Sequence, residues 1–320
     1  PGECASQTTS AWAPVSGEWY LGAYADPQDA EAELIESNNA FIGPRMGFGF
    51  GPDLIVTQIT APPSADGQFS LSVRVCNQGT AFAPGADVAV YATEDTTIDT
   101  NFPPPIGDFM LMSLPVPGLQ PGECQDLTDM AYSGPSGAFY LGAIVDQFQN
   151  LQELQEGNNT FVGDLMGFGP GPDMVVSEIL APPSANGPFV ATLTVCNQGT
   201  TPSFGIDVTL YASEDSVVTP QFNLPYPSPD MFLGQAPVPP LNPGECAGVG
   251  VNAYSAGQGA YYLGAVVDEF QGMQELIESN NTLVAGPIGF GFGPDLVAGT
   301  IALPPFAMPG APLTIDVEVC

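Results

Sequence analysis

The sequence predicts an all-β protein built from tandem sandwich domains of about seven strands each. Three observations support this prediction. The motif PGEC begins at Pro1, Pro121 and Pro243, a spacing of about 120 residues that matches a small domain. Short segments between these motifs alternate apolar and polar residues, as half-buried strands do. Glycine (38 residues) and proline (35 residues) indicate a turn-rich chain, and 44% hydrophobic residues supply a core.

Each predicted strand of one unit ends at a turn signal. Leu54–Ile59 precedes the turn sequence PPSADG, and Phe69–Val75 alternates apolar and polar residues. A further strand, Asp87–Thr93, is followed by a proline-rich connection. One strand is then predicted directly after the PGEC motif and another at Ala138–Asp146. A brief helical stretch is predicted at Leu151–Asn159. The number and order of these segments favour seven-stranded immunoglobulin-like sandwiches.

The repeats divide the chain into four segments. Residues 53–172 and 173–294 are complete units, residues 1–52 match only the C-terminal part of a unit, and residues 295–320 match only its N-terminal strands. A half-sandwich exposes a strand edge and an apolar face to water. We therefore expect each partial unit to be completed by the next repeat of a longer chain or by the next subunit.

All six cysteines lie at two positions of the repeat. Pairing within each complete unit predicts two disulfides: Cys76–Cys124 and Cys196–Cys246. Cys4 and Cys320 then have no partner in their own units, and a bond between Cys4 of one subunit and Cys320 of another would link subunits head to tail. One cysteine pair per domain favours an extracellular location. Zinc is disfavoured because the chain has no histidine and no CxxC motif.

The order of these motifs resembles the CARDB family, a cell-adhesion-related, immunoglobulin-like domain of bacterial secreted and surface proteins. The resemblance rests on the segments GPDLIV, VRVCNQGT, VAVYATED, LQPGEC, GAFYLGAIVD and ELQEGNN. It extends over both complete units and both partial ones. It implies a seven-stranded sandwich, tandem repetition, an extracellular location and a structural or adhesive role, and it carries over no catalytic residues.

The charge of the chain excludes several classes of function. Thirty-five Asp and Glu residues face only 2 Lys and Arg residues and no histidine, which gives a net charge of −33. Binding to nucleic acid or to an anionic membrane surface needs a basic patch that this chain lacks. Most general-base and Schiff-base chemistry is also unavailable. The sequence therefore predicts that the protein is not an enzyme and does not bind nucleic acid.

One polar pattern recurs three times, in the loop before the last predicted strand of a unit. Its members are Asp26, Glu33 and Asn38; Asp146, Glu153 and Asn158; and Asp268, Glu275 and Asn280. Oxygen ligands of this kind suit calcium. The alternative is a short helix with exposed glutamates that ends at an asparagine and needs no metal. No cofactor is required by the sequence, and calcium is the one metal that it suggests.

Glycine and phenylalanine mark the predicted junctions between units. The junction phenylalanines are Phe48, Phe50, Phe168, Phe290 and Phe292. We expect these side chains to pack at the seams between domains and limit bending; the alternative is a flexible linker.

These features predict a structural repeat protein of an extracellular filament, stalk or adhesin, whose partner is a further copy or a neighbouring repeat. The alternatives are a module that binds calcium, a surface glycan or a protein, and an accessory stalk of a secreted hydrolase. No apolar run is long enough to span a membrane.

Overall fold

A computed structural model of the chain describes most of its length. The described residues are 6, 8–12, 15–28, 30–31, 33, 35–99, 108–219, 230–255, 257–294, 296, 298–302 and 316–319. The chain divides into two compact units, Pro1–Gly169 and Pro170–Cys320. Apart from one 3-10 turn at Glu36–Asn38, every regular element in the described ranges is a β-strand. No helix among these residues is long and apolar enough to cross a membrane.

The first unit consists of a hairpin followed by one complete repeat. Its strands are β1 (Gly17–Tyr24), β2 (Ala40–Phe48), β3 (Leu54–Thr60), β4 (Ser64–Ala65), β5 (Gln68–Asn77), β6 (Ala86–Thr93), β7 (Phe109–Val116), β8 (Cys124–Tyr132), β9 (Gly137–Val145) and β10 (Thr160–Phe168). In the complete repeat, one sheet has the order β3-β5-β8 and the other the order β4-β10-β9-β6-β7. All neighbours are antiparallel except β4 and β10.

The core of this repeat lies between the two sheets. In β5, Phe69, Leu71 and Val73 are buried whereas Arg74 is exposed, because successive side chains of a strand point to opposite faces. Leu71 packs in one cluster with residues of the opposite sheet, among them Val90 of β6. Each fully buried leucine or valine contributes roughly 1.5–3 kcal/mol relative to exposure. Seven main strands and the two-residue strand β4 thus form the predicted immunoglobulin-like sandwich.

The second unit repeats this architecture and ends in a further hairpin. Its strands are β11 (Met174–Leu180), β12 (Ser184–Ala185), β13 (Pro188–Asn197), β14 (Ile206–Ser213), β15 (Met231–Val238), β16 (Cys246–Tyr254), β17 (Gly259–Val267), β18 (Thr282–Phe290), β19 (Ala298–Ala302) and β20 (Asp316–Val319). The sheets have the orders β11-β13-β16 and β12-β18-β17-β14-β15, and β19 pairs with β20. The prediction of tandem β-sandwiches is confirmed.

A disulfide joins two adjacent strands in each complete repeat. Cys76 of β5 lies directly opposite Cys124 of β8 and is bonded to it. Cys196 of β13 and Cys246 of β16 are joined in the same register. These are the two pairs that the repeat spacing predicts. Cys4 and Cys320 lie outside the described residues.

Two local predictions need correction. Leu151–Asn159 is a loop with turns rather than a helical stretch. Phe168 and Phe290 do not pack at a seam: each ends a strand and is buried in the core of its own repeat.

The remaining junction phenylalanines do not form a packed seam of the predicted kind either. Phe50 and Phe292 are 88% and 85% exposed, and Phe48, the last residue of β2, is half-buried. The physical reason is that the last strand of each unit extends as far as the first phenylalanine of the junction sequence, which places that side chain in or near its own unit. The next residue is a glycine with positive φ, such as Gly169 (φ 96°), a conformation in which only glycine is unstrained, and the strand ends there.

Candidate functional site

The loop between β9 and β10, and its counterpart between β17 and β18, begins at an aspartate with left-handed backbone. Asp146 (φ 47°) accepts hydrogen bonds from the backbone N–H groups of Asn150 (3.1 Å) and Leu151 (2.8 Å). Asp268 (φ 47°) has the same role and accepts from Met273 N–H at 2.8 Å. Both carboxylates therefore stabilise the turn at the start of the loop, since an aspartate tolerates the left-handed backbone conformation and accepts hydrogen bonds from the turn.

A glutamate further along the loop binds the first strand of the same repeat. Glu153 accepts a hydrogen bond from the N–H of Leu54 at 2.8 Å, and Glu275 accepts one from the N–H of Met174 at 2.9 Å. These contacts join residues at opposite ends of the repeat sequence. The last loop is thereby fixed to the first strand through a side chain that is 8% exposed in the case of Glu275.

The aspartate of the GPD motif meets the same loop. The side-chain amide of Asn158 donates to Asp53 Oδ1 at 2.9 Å, and that of Asn280 donates to Asp173 Oδ1 at 2.9 Å. Asp53 also accepts from Gln78 Nε2 at 3.0 Å. We call the group of acidic and amide side chains formed in this way the loop cluster. Its members are Asp53, Glu153, Glu156, Asn158 and Asn159 in the first repeat, and Asp173, Glu275, Glu278, Asn280 and Asn281 in the second.

Burial and like charge raise the pKa values of four carboxyl groups in the loop clusters. The pKa of Glu275 is raised to about 8, first by burial and then by the negative charges of Asp268, Asp173 and Glu278. The pKa of Glu153 is raised to about 7, mainly by burial. Burial also raises the pKa values of Asp53 and Asp173.

The two arginines of the chain form ion pairs with carboxylates outside the loop cluster. Arg45 Nη1 lies 2.6 Å from Glu18 Oε2, and Arg74 Nη1 lies 3.2 Å from Asp126 Oδ2. Glu18 also accepts from the N–H of Glu156 at 3.0 Å, so the Arg45 ion pair lies beside the first loop cluster. The chain contains no lysine and no histidine that could serve either cluster.

Several buried oxygens of the loop cluster accept no hydrogen bond. In the second repeat these are Asp173 Oδ2, Glu275 Oε1, Asn280 Oδ1 and Asn281 Oδ1. In the first repeat they are Glu156 Oε2, Asn158 Oδ1 and Asn159 Oδ1. Buried acceptors without partners are uncommon in native proteins, so each calls for an explanation.

An asparagine beside the loop cluster uses its full hydrogen-bonding capacity. Asn197 is fully buried; its Oδ1 accepts from the N–H groups of Asp173 (3.1 Å) and Gly199 (3.0 Å). Its Nδ2 donates to the carbonyls of Thr201 (2.9 Å) and Leu241 (3.0 Å). Asn77 makes the equivalent four bonds in the first repeat. This side chain positions the backbone of Asp173 and connects three loops at one end of the sandwich.

The predicted oxygen triads are only partly brought together. Glu153 and Asn158 meet in one cluster, as do Glu275 and Asn280, but Asp146 and Asp268 are used in the turn. In the partial unit, Asp26 accepts from Glu31 N–H at 2.8 Å, and backbone hydrogen bonds lower its pKa. Glu33 and Asn38 lie in the same loop with no first strand from their own unit beside them. Over the described ranges, no three acidic or cysteine side chains form a metal-binding group by themselves.

Sequence reasoning missed Asp53, Asp173 and the two buried asparagines. The signal was present, because GPD and VCNQGT recur in each complete unit. The first motif lies at the start of one strand and the second at the end of its neighbour in the sheet, however. Their local sequence does not indicate that the last loop of the unit contacts them.

We expect the metal-free second repeat to become less stable as the pH rises from 6 to 8.5. The folded state holds the proton of Glu275 more tightly than the unfolded chain does, since its pKa is raised to about 8. The tighter binding of this proton stabilises the folded repeat fully below the pKa that Glu275 has in the unfolded chain. This stabilisation is lost as the pH rises through the pKa of Glu275 in the folded state. Thermal melts in EDTA at these two pH values test this, because exposed carboxylates are already ionised at pH 6.

The matched control for this measurement is Glu275→Gln. An uncharged amide cannot titrate, so the variant should show a flatter dependence of melting temperature on pH. A wild-type melting temperature that rises over this range would contradict the expected sign.

Two disulfide-closed β-sandwiches in tandem, each with a loop cluster at one end, define a β-sandwich repeat protein. A model of the CARDB family matches residues 51–163 and again residues 171–285. The chain belongs to the CARDB family. No curated protein matches it.

Solved structures similar to this chain include further CARDB domains. A crystal structure of a CARDB domain from Pyrococcus furiosus, described as a complex with di-metal ions, is 23% identical, with a TM-score of 0.30; the match covers 38% of this chain and 97% of that one. The solution structure of that domain is also 23% identical and covers 38% and 98%, with a TM-score of 0.29. Red sea bream transglutaminase is 12% identical over 77% of this chain and 32% of its own, with a TM-score of 0.38.

Proposed function

We propose that this chain is a non-enzymatic structural repeat protein of an extracellular bacterial filament, stalk or adhesin. The partial units are completed in it by further repeats, either from the next subunit or from neighbouring sequence of a longer chain. The two disulfides support an oxidising, extracellular location. The near absence of lysine, arginine and histidine supports a role without catalysis.

The observation that carries this proposal is the exposed inner face of the β1–β2 hairpin. Leu21 is 51% exposed, whereas Leu141, at the same repeat position, is 5% exposed. Met46 is 48% exposed, whereas Met166 is 1% exposed. These positions lie in the core of a complete repeat, so a hairpin of this sequence needs an opposing sheet.

The other partial unit supplies strands of the kind that this hairpin lacks. The β19–β20 hairpin corresponds in sequence to β3 and β5, which belong to the sheet opposite β9 and β10 in a complete repeat. In a head-to-tail contact, β19 and β20 of one copy would cover β1 and β2 of the next. The same contact would bring Cys320 to Cys4, because these positions correspond to Cys76 and Cys124.

Sedimentation velocity over a range of concentrations, combined with non-reducing gel electrophoresis, tests the head-to-tail contact. We expect linear multimers that form a ladder without reductant and lose the covalent ladder with dithiothreitol. Multimers should persist at about 1 M NaCl, because salt screens charge interactions and only 2 basic residues are available for salt bridges. A monomer at every concentration, or multimers that dissociate in high salt, would refute this mode of assembly.

A further inference from the structure

The loop cluster of the second repeat gathers oxygen acceptors that no protein group satisfies. Asp173 is fully buried, Glu275 is 8% exposed and Asn281 is 7% exposed. Each has one side-chain oxygen without a hydrogen-bond partner, and Asn280 adds a fourth. Buried acceptors of this kind cost free energy unless a donor or a cation meets them.

Hydrogen bonds hold Asp173, Glu275 and Asn280 close to the start of the first strand. Asn281, which follows Asn280 in the sequence, donates to the carbonyl of Val267. Asn280 donates to one oxygen of Asp173 at 2.9 Å, which leaves Asp173 Oδ2 and Asn280 Oδ1 beside this contact. Glu275 uses its Oε2 to accept from Met174, the residue that follows Asp173, and keeps Oε1 unpartnered. The negative charges of Asp173, Asp268 and Glu278 all act on Glu275. The four unpartnered atoms are all side-chain oxygens, and several carboxyl groups lie near Glu275.

A related but smaller set of unpartnered oxygens occurs in the first repeat. Asn158 and Asn159 each keep an unpartnered side-chain oxygen, and Glu156 adds a carboxylate oxygen. Gln78 donates to the second oxygen of Asp53 there, and Asn159 donates to the second oxygen of Glu153. The free carboxylate oxygen of the first loop cluster is therefore that of Glu156. The unpartnered oxygens of the two consecutive asparagines recur in both repeats, so they are a feature of the repeat rather than of one copy.

We propose that each complete repeat binds one divalent cation of the calcium class at its loop cluster, more tightly in the second repeat than in the first. Carboxylate and amide oxygens are the ligands that calcium takes, and its flexible coordination accepts an irregular set of them. In the second repeat the ligands come from the GPD motif and from the last loop. A bound ion would therefore fix the first strand of a repeat to its last loop, independently of how repeats assemble with one another.

Asp146 and Asp268 are not ligands in this proposal, because their carboxylates already accept the loop N–H groups. In the second repeat the site consists of two carboxylates with amide oxygens, and not of three carboxylates. In the first repeat it consists of the Glu156 carboxylate with two amide oxygens. The partial hairpin has no GPD aspartate from its own unit beside its loop. The loop of this hairpin is therefore expected to bind no ion.

Titration calorimetry and thermal melts of the EDTA-treated chain test this proposal. We expect two calcium ions per chain, with dissociation constants of about 10⁻⁴–10⁻³ M, as in extracellular modules. At about 10 mM calcium the melting temperature should rise by roughly 5–15 °C. Buffers matched in ionic strength with NaCl remove the effect of charge screening. No rise in melting temperature at this calcium concentration would overturn the proposal.

Two variants locate the ion. Glu275→Gln and, separately, Asp173→Asn should each reduce the stoichiometry from two ions to one. Glu275→Gln should still fold in EDTA, because an amide oxygen can accept the hydrogen bond from Met174 and no charge is buried. The exposed Glu214→Gln is the matched control and should bind two ions.

Unchanged calcium binding by both cluster variants would also overturn the proposal, since the ions would then lie on exposed carboxylates of the acidic surface. Because these measurements count ions per chain, they give the same answer whether or not the chain assembles head to tail. A failure of the cation site is thus separable from a failure of the proposed structural function.

Discussion

Replacing Cys196 and Cys246 together by alanine is expected to lower the free energy of unfolding of the second repeat by about 4 kcal/mol. The disulfide closes a segment with a sequence separation of 50 residues, which contains β14 and β15. Without the bond, the unfolded chain regains the conformational entropy of that segment. For a domain of this size the melting temperature should fall by roughly 10–20 °C.

Differential scanning calorimetry measures this effect, and the first repeat supplies the control. The paired replacement of Cys76 and Cys124, with a sequence separation of 48 residues, should destabilise the first repeat by a similar amount and leave the transition of the second unchanged. A double variant of the second repeat that melts within about 2 °C of the wild type would show that the bond contributes little.

Replacing Asn197 by alanine is expected to destabilise the second repeat by about 3–5 kcal/mol. The change leaves two backbone N–H groups and two carbonyls without partners at a site where the side chain is fully buried. It also frees the backbone of Asp173, so the loop cluster should lose its geometry together with the stability. Chemical denaturation of the variant and the wild type measures the difference.

Asn252→Ala is the control for this substitution, because Asn252 is an exposed asparagine of β16. Its effect should stay within about 0.5 kcal/mol. Asn77→Ala should reproduce the effect of the Asn197 substitution in the first repeat, since the four hydrogen bonds are the same. A loss below about 1 kcal/mol for Asn197→Ala would mean that water replaces the lost hydrogen bonds.

The strands could be predicted from the sequence because their signals are local. In β5, alternation places Phe69, Leu71 and Val73 on one face, and burial follows this alternation as far as Val75. Cys76 and Asn77 at the end of the strand are both buried. The disulfides could also be predicted, because tandem repetition places each cysteine at a fixed position. Both predictions depend on periodicity, which a single sequence contains in full.

The loop cluster could be predicted only in part, because it depends on contacts between distant residues. The spacing of Asp146, Glu153 and Asn158 suggested one set of ligands, but Asp146 turns its carboxylate to the N–H groups of its own loop. The carboxylate that lies beside Asn158 is instead that of Asp53, and their hydrogen bond spans a sequence separation of 105 residues. The prediction of a helical stretch at Leu151–Asn159 was wrong for a related reason, because Glu153 in this segment accepts a hydrogen bond from the distant residue Leu54.

The exposed β1–β2 hairpin underlies the central claim, that a partial unit requires another repeat. The chain contains two tryptophans, Trp12 and Trp19, and both lie in this partial unit. Trp19 is 50% exposed, whereas Phe139, at the same position of a complete repeat, is 6% exposed. Trp12 corresponds to Tyr132, which is 66% exposed even in a complete repeat. A Trp12→Phe background therefore makes Trp19 a specific probe of the hairpin face.

The most direct measurement is the fluorescence of Trp19 in this background, with and without a copy of residues 53–120 placed ahead of Pro1. That addition supplies the part of a unit that the hairpin lacks. If a further repeat covers the hairpin, the emission of Trp19 should shift to shorter wavelength and its quenching by acrylamide should decrease to the level of a buried residue. Emission and quenching that are the same in both chains would contradict the claim.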